Sequence, residues 1–179
     1  MNTRPSKIVC VGRSYAEHAQ ELGNAIPDSP VLFIKPPSSL ISLEDGITWN
    51  KNLGNLHHEC ELTLRLDQPL KNETDPQKAL EAIGAVTLGL DLTLRDLQDS
   101  LKKKGHPWER SKAFDGACVL ADWVEVSEVK AWNAVTFDFQ VNDQVRQKGD
   151  TALLLFSIAY LLCDISQAFS LEVGDVVMT

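Results

Sequence analysis

From Glu59 to Leu66 polar and apolar residues alternate, the period-two pattern of a β-strand, and the alternation sets Glu59 and Glu61 side by side on one face. Like charges at that spacing repel, and burying either one unpartnered costs on the order of several kcal/mol or forces it to take a proton. Two readings follow. Either the polar face, carrying Glu59, Glu61, Thr63 and Arg65, is solvated, or it turns inward and the paired acids grip a cation. In the second case oxygen-only ligands favour Mg²⁺ or Mn²⁺ over zinc and leave coordination positions open for a substrate.

At 179 residues and 44% hydrophobic content the chain fits one domain with one substantial core. A net charge of −8 and a pI near 4.9 argue against a nucleic-acid partner, because phosphate binding needs clustered cations. Lys102-Lys103-Lys104 is too short to reverse that and reads as the solvated end of a helix. Cys10, Cys60, Cys118 and Cys163 are widely spaced with no CxxC pair, which fits reduced thiols in a cytoplasmic protein. The N-terminus lacks a secretory pattern, and the longest apolar stretch, Ala152 to Cys163, falls short of the roughly 20 residues a membrane span needs. That stretch predicts a core helix, with no membrane partner. After Val173-Gly174-Asp175 an apolar strand opens and the sequence stops at Thr179, so further polypeptide is expected to follow.

Strands are predicted at Ile8 to Val11, Val31 to Lys35, Gly46 to Trp49 (weakly), His58 to Leu66, Ala85 to Leu92 and from Val176 onward, with residues 51–57 as loop. A hairpin is expected from Val135 to Val141 and Gln144 to Gln147 across Asn142-Asp143. Helices are predicted over Ser14 to Leu22, from Asp75-Pro76, over Leu94 to Lys104, and over Thr151 to Phe169. Many strands, few helices and no regular βαβ alternation indicate a β-rich α+β fold.

Asp91 is an acid inside the apolar run Leu88 to Leu94, which requires either a salt bridge to Arg95 or Lys112 or a share in a metal site with Glu59 and Glu61. His18 and Glu21 stand three apart, on one face of a short helix. They read as a carboxylate-supported general base or as ordinary polar residues of an exposed helix. His58 is expected to pack inside the sheet, and His57 and His106 in loops. Lys35 ends a strand and Lys112 lies in a Ser-Lys-Ala-Phe-Asp-Gly loop; each is either a solvated surface lysine or a cation for an anionic substrate. No phosphate-binding glycine loop, nucleophile elbow or Walker motif is present.

Taken together, the blocks Ile8 to His18, Leu32 to Pro36, Asn55 to Leu62, Asp91 to Gln98, Lys102 to Trp108, Lys112 to Asp115 and Gly174 to Thr179 resemble the fumarylacetoacetate hydrolase superfamily. The resemblance is to its single-domain acylpyruvase and oxaloacetate decarboxylase branch, and it runs over nearly the whole chain. It implies a mixed β-sandwich roll with short peripheral helices, a homodimer, and a divalent metal, Mg²⁺ or Mn²⁺, held by Glu59, Glu61 and Asp91. It further implies a water-activating pair at His18 and Glu21, a catalytic lysine at Lys112, and substrate-binding residues at Arg13, Lys35, Arg95 and Gln98. Ser14 stands where many relatives carry Asn, and the family's glycine-rich segment beyond the final threonine is not reached. The activity so implied is metal-dependent cleavage of a C–C bond in a small 2-oxo acid, as an acylpyruvate hydrolase or an oxaloacetate decarboxylase. The alternatives are an isomerase or decarboxylase of unsaturated 2-oxo diacids, and a metal-binding scaffold without turnover.

Overall fold

The computed structural model describes residues 4–15 and 26–179. In chain order its strands are β1 (Ile8–Gly12), β2 (Val31–Lys35), β3 (Leu40–Ser42), β4 (Leu56–His57), β5 (Cys60–Leu66), β6 (Ile83–Asp91), β7 (Thr93–Leu94), β8 (Cys118–Leu120), β9 (Val124–Glu125), β10 (Thr136–Val141), β11 (Gln144–Asp150) and β12 (Val176–Met178). The α-helices are α1 (Pro76–Glu81), α2 (Arg95–Lys103), α3 (Glu109–Lys112) and α4 (Ile158–Ala168). Eight strands form one curled mixed sheet in the order β2-β1-β12-β5-β6-β8-β3, with β9 on a free stretch of β6. The pairs β10-β11 and β4-β7 stand apart from it. This is the β-rich fold that the strand pattern predicts, in the form of the roll with short helices that the resemblance implies.

Strand periodicity explains why both faces of the sheet are buried. In β1, Val9 and Val11 enter one apolar cluster while Ile8 and Cys10 enter another. Leu62, Leu64 and Leu66 of β5 join Val9 and Val11, and α4 covers that face with Ile158, Leu161, Leu162 and Ile165 at helical spacing. Each of these four side chains is fully or nearly fully buried, stabilising the fold by about 2 kcal/mol apiece. The opposite face is where the polar residues of β5 and β6 must find partners.

Asp175 fastens the start of β1 beside β12. Its buried carboxylate accepts from Ser6 N and Oγ at 2.8 Å, Lys7 N at 3.0 Å and Glu172 N at 2.9 Å, and it pairs with Lys7 Nζ at 2.6 Å. Burial works against the charge, yet these donors outweigh it and hold the carboxyl below its ordinary value.

Three expectations are corrected. The helix expected over Thr151 to Phe169 begins only at Ile158, because Asp150 caps a 3-10 turn at Thr151–Leu153 and Ser157 caps α4. Between them the backbone is not helical: Leu154 bridges to Tyr15 and Leu155 N donates to Ser14 O at 2.9 Å, so the run Ala152 to Cys163 is not one core helix and Leu153 is 59% exposed. No strand forms over Gly46 to Trp49; the strand lies earlier, at β3, which pairs in parallel with β8. Residues 51–57 are not all loop, since β4 pairs with β7. Among the described residues no helix is long and apolar enough to cross a membrane.

Candidate metal centre

The register of β5 against β6 assembles the acids. Cys60 lies opposite Leu90 and Glu61 opposite Gly89, and Asp91 N donates to Glu59 O at 2.8 Å, so Glu59 and Asp91 are cross-strand partners with Glu61 one step along the same face. A one-residue slip of β5 would turn Glu59 and Glu61 to the helix-covered side and leave Asp91 without them. Gly89, opposite Glu61, lets the neighbouring side chains pack closely: a Cβ there would come within 2.6 Å of Thr63 Oγ1 and 2.9 Å of Leu120 and Met178. The face is not solvated, because Glu61 is 9% exposed, Thr63 is fully buried and Asp91 is 1% exposed. One carboxylate oxygen from each of Glu59, Glu61 and Asp91 lies within 4.8 Å of the other two.

Two lysines reach into this cluster. Lys112 Nζ donates to Glu59 Oε2 at 2.6 Å and to Asp91 Oδ2 at 2.5 Å, while Lys35 Nζ stands 2.7 Å from Asp91 Oδ1 and donates to the Lys112 carbonyl. Both lysines are buried, so neither is a solvated surface cation. Lys112 sits on the short helix α3 rather than in a loop. Arg95 Nη2 pairs with Glu59 Oε1, and its Nη1 donates to Gln98 Oε1 at 2.7 Å one turn further along α2. Asp91 therefore does make the salt bridge to Lys112, and it makes it inside the acid cluster.

Burial lowers the Lys112 ammonium, but Asp91 and Glu59 outweigh it and hold the amine above its ordinary value, so it stays a cation. Glu61 moves the other way. Burial, then repulsion from Asp91 and Glu59, pushes its carboxyl well above the usual range, with Lys112 and Lys35 only partly offsetting this. Its Oε2 is buried without a hydrogen-bond partner. The Cys60 side chain points to the other face of β5, where it packs with Leu90 and Leu92 and burial, then Glu61, push its thiol up to about 12, so the donors on the acid face are oxygens. An orphaned carboxylate oxygen in an oxygen-only cluster suits a hard divalent cation, with Glu59, Glu61 and Asp91 as its holders.

Glu59 and Glu61 open into a cavity of about 470 Å³. Arg13, Arg95, Lys102, Lys112, Arg146 and Lys148 line it, against the carboxylates of Glu59, Glu61 and Asp150. Arg13 holds a left-handed backbone at φ 59° where β1 gives way to this wall. Gln98 and Lys102 follow Arg95 on the same stripe of α2, and Lys102 stands 5.2 Å over the Trp108 ring. Burial, then Arg95 and Arg13, lower the Lys102 ammonium, as expected where cations converge without enough anions. His18 and Glu21 lie outside the described residues, as does most of the helix expected over Ser14 to Leu22. His58 is not inside the sheet; it is exposed at the cavity wall, its ring 4.8 Å from that of Phe139.

The whole stretch 7–179 matches the family model described as fumarylacetoacetate (FAA) hydrolase C-terminal. The chain belongs to the fumarylacetoacetate hydrolase family. It is 41% identical over 175 residues to an oxaloacetate tautomerase of Escherichia coli (strain K12), covering 97% of this chain and 80% of that protein. It is 37% identical over 174 residues to a mitochondrial oxaloacetate decarboxylase of Dictyostelium discoideum, covering 97% and 79%. Among solved structures, the fumarylpyruvate hydrolase of Pseudomonas aeruginosa in complex with Mn²⁺ and pyruvate aligns with a TM-score of 0.86 at 30% identity, covering 96% of this chain and 76% of that one.

Within this family fold, Glu59, Glu61, Asp91, Lys35, Lys112, Arg95 and Gln98 converge, and Arg13 joins them on the cavity wall. Sequence reasoning missed Lys102, Arg146, Gln147 and Lys148. Lys102 carries a usable signal, its place seven residues after Arg95 on one helical face. The hairpin residues carry none, since their place over the acids is a tertiary event.

Proposed function

We propose that the chain is a divalent-metal-dependent enzyme of small 2-oxo diacids, interconverting the keto and enol forms of oxaloacetate or a near analogue and supporting loss of CO₂ from it. The observation that carries this reading is the convergence of Glu59, Glu61 and Asp91, the first two lining a cavity that six cationic side chains among the described residues also line, in a protein of net charge −8. A cation held by the three carboxylates would act as a Lewis acid on a 2-oxo carboxylate, drawing charge toward its oxo oxygen. Arg95, Gln98 and Arg13 would orient the substrate's carboxylates, and the cationic wall favours a dianion over a neutral molecule. Lys112, paired with Glu59 and Asp91, would bring positive charge beside negative charge developing on the substrate. Proton transfer at the carbon beside the oxo group is assigned to His18 and Glu21. The names of the relatives, oxaloacetate tautomerase and oxaloacetate decarboxylase, support this substrate class.

The test is the rate of enol-to-keto conversion of oxaloacetate, followed by loss of enol absorbance with Mg²⁺ or Mn²⁺ present. Acceleration that EDTA and Asp91→Asn both abolish is expected; a rate equal to that of buffer with metal would refute the proposal. Acylpyruvate hydrolysis is a second reading, supported by the fumarylpyruvate hydrolase neighbour. It needs an activated water as well, so His18→Ala is expected to lower hydrolysis more than decarboxylation; equal retention of both activities would contradict the His18 and Glu21 assignment.

A further inference from the structure

Cys60 separates the two acids of β5, and its backbone has an unusual partner. The Glu59 and Asp91 pair bonds across to β6, so the N–H and C=O of Cys60 point the other way, toward the side that β12 occupies further along. There Thr179 N and Oγ1 donate to Leu62 O at 3.2 and 2.9 Å. One step nearer the acids, the side chain of Gln147 takes over: its Oε1 accepts from Cys60 N at 2.8 Å and its Nε2 donates to Cys60 O at 2.5 Å. A carboxamide presents an N–H donor and a carbonyl acceptor in one plane, as a peptide group does, and among side chains only Gln and Asn carry that amide.

We propose that Gln147 is a positioning residue for the metal strand, a one-residue surrogate for a neighbouring β-strand that sets the spacing of Glu59 and Glu61. The same tie fixes β11, whose Arg146 and Lys148 flank Gln147 and line the cavity, so the acids and part of the cationic wall are held in one register. The role rests on the metal-dependent reading above. Phe137 reinforces the arrangement from the paired strand: its ring occupies the space beside Gly149, where a Cβ would meet it at 2.1 Å.

Calorimetric titration of Mn²⁺ into the full chain and into Gln147→Met tests this, with thermal unfolding of both in parallel. Methionine keeps the length and offers neither bond. Binding at least tenfold weaker is expected, the size of loss usual for partners that orient metal ligands from behind. Affinity within twofold of the unaltered chain overturns the proposal, whatever the melting temperature, because a purely structural role would move the latter alone. A second measurement needs no variant. In ¹⁵N-labelled unaltered protein titrated with Mg²⁺, the Cys60 amide and the Gln147 side-chain NH₂ are expected to shift along one saturable curve; Gln147 resonances that stay fixed while Mg²⁺ binds overturn it. Absence of Mn²⁺ uptake by the unaltered chain defeats the metal-dependent reading and this role together, and its own titration identifies that case.

Discussion

With one carboxylate oxygen buried and unpartnered, Glu61 is better accommodated as a neutral group in metal-free protein, so removing its charge exchanges metal affinity for stability. Its folded-state pKa is raised, and a group so raised contributes most below its unfolded value, near the ordinary 4.5, and loses that contribution as pH climbs. Glu61→Gln is therefore expected to match the unaltered protein in melting temperature near pH 5 in EDTA, to exceed it at pH 8, and to bind Mn²⁺ at least 100-fold more weakly. Calorimetry and thermal unfolding read both. Lys112 behaves oppositely. Lys112→Met leaves Glu59 and Asp91 without the ammonium that bridges them, a loss of about 3 kcal/mol by urea unfolding in EDTA, much of it recovered when Mn²⁺ is added. The acid pair was legible in the sequence because its pattern is local, and Asp91 because an acid in an apolar run must be compensated. Whether Lys35 and Lys112 are surface or site residues depends on burial, which no local pattern carries, and the partner of Gln147 is a backbone 87 residues away.

Among the elements, those whose signals are local were readable. β1 and β2 are apolar runs, and α1 begins as expected with Asp75 accepting from Gln77 N and Pro76 at its first position. The hairpin forms where Asn142 and Asp143 adopt φ of 50° and 60°, values those residues tolerate. The apolar run after Asp150 misled because hydrophobicity does not distinguish a helix from an extended segment; side-chain caps at Asp150 and Ser157 decided it. Asp175 matters at this scale because it joins the segment before β1 to β12. Its folded pKa is depressed, so its contribution is present above the ordinary value near 3.8 and is lost as pH falls through the lower folded value. Asp175→Ala is expected to cost about 3 kcal/mol at pH 7, a gap that narrows in urea unfolding as pH falls below about 4.

For the molecule as a whole, an acidic protein builds a cavity of opposite character, lined among the described residues by six cationic side chains beside Glu59 and Glu61. The β-rich class followed from the abundance of strands, while the strand order, in which the last strand is inserted between β1 and β5, joins segments too distant for periodicity to connect. In the folded molecule Lys35 and Lys112, also distant in sequence, come within bonding reach of Asp91. Crystals of the chain grown with Mn²⁺ and measured at the manganese absorption edge test the central claim most directly. The account predicts one anomalous peak within bonding distance of an oxygen from each of Glu59, Glu61 and Asp91. A peak elsewhere, or none with the three carboxylates turned apart, would contradict it.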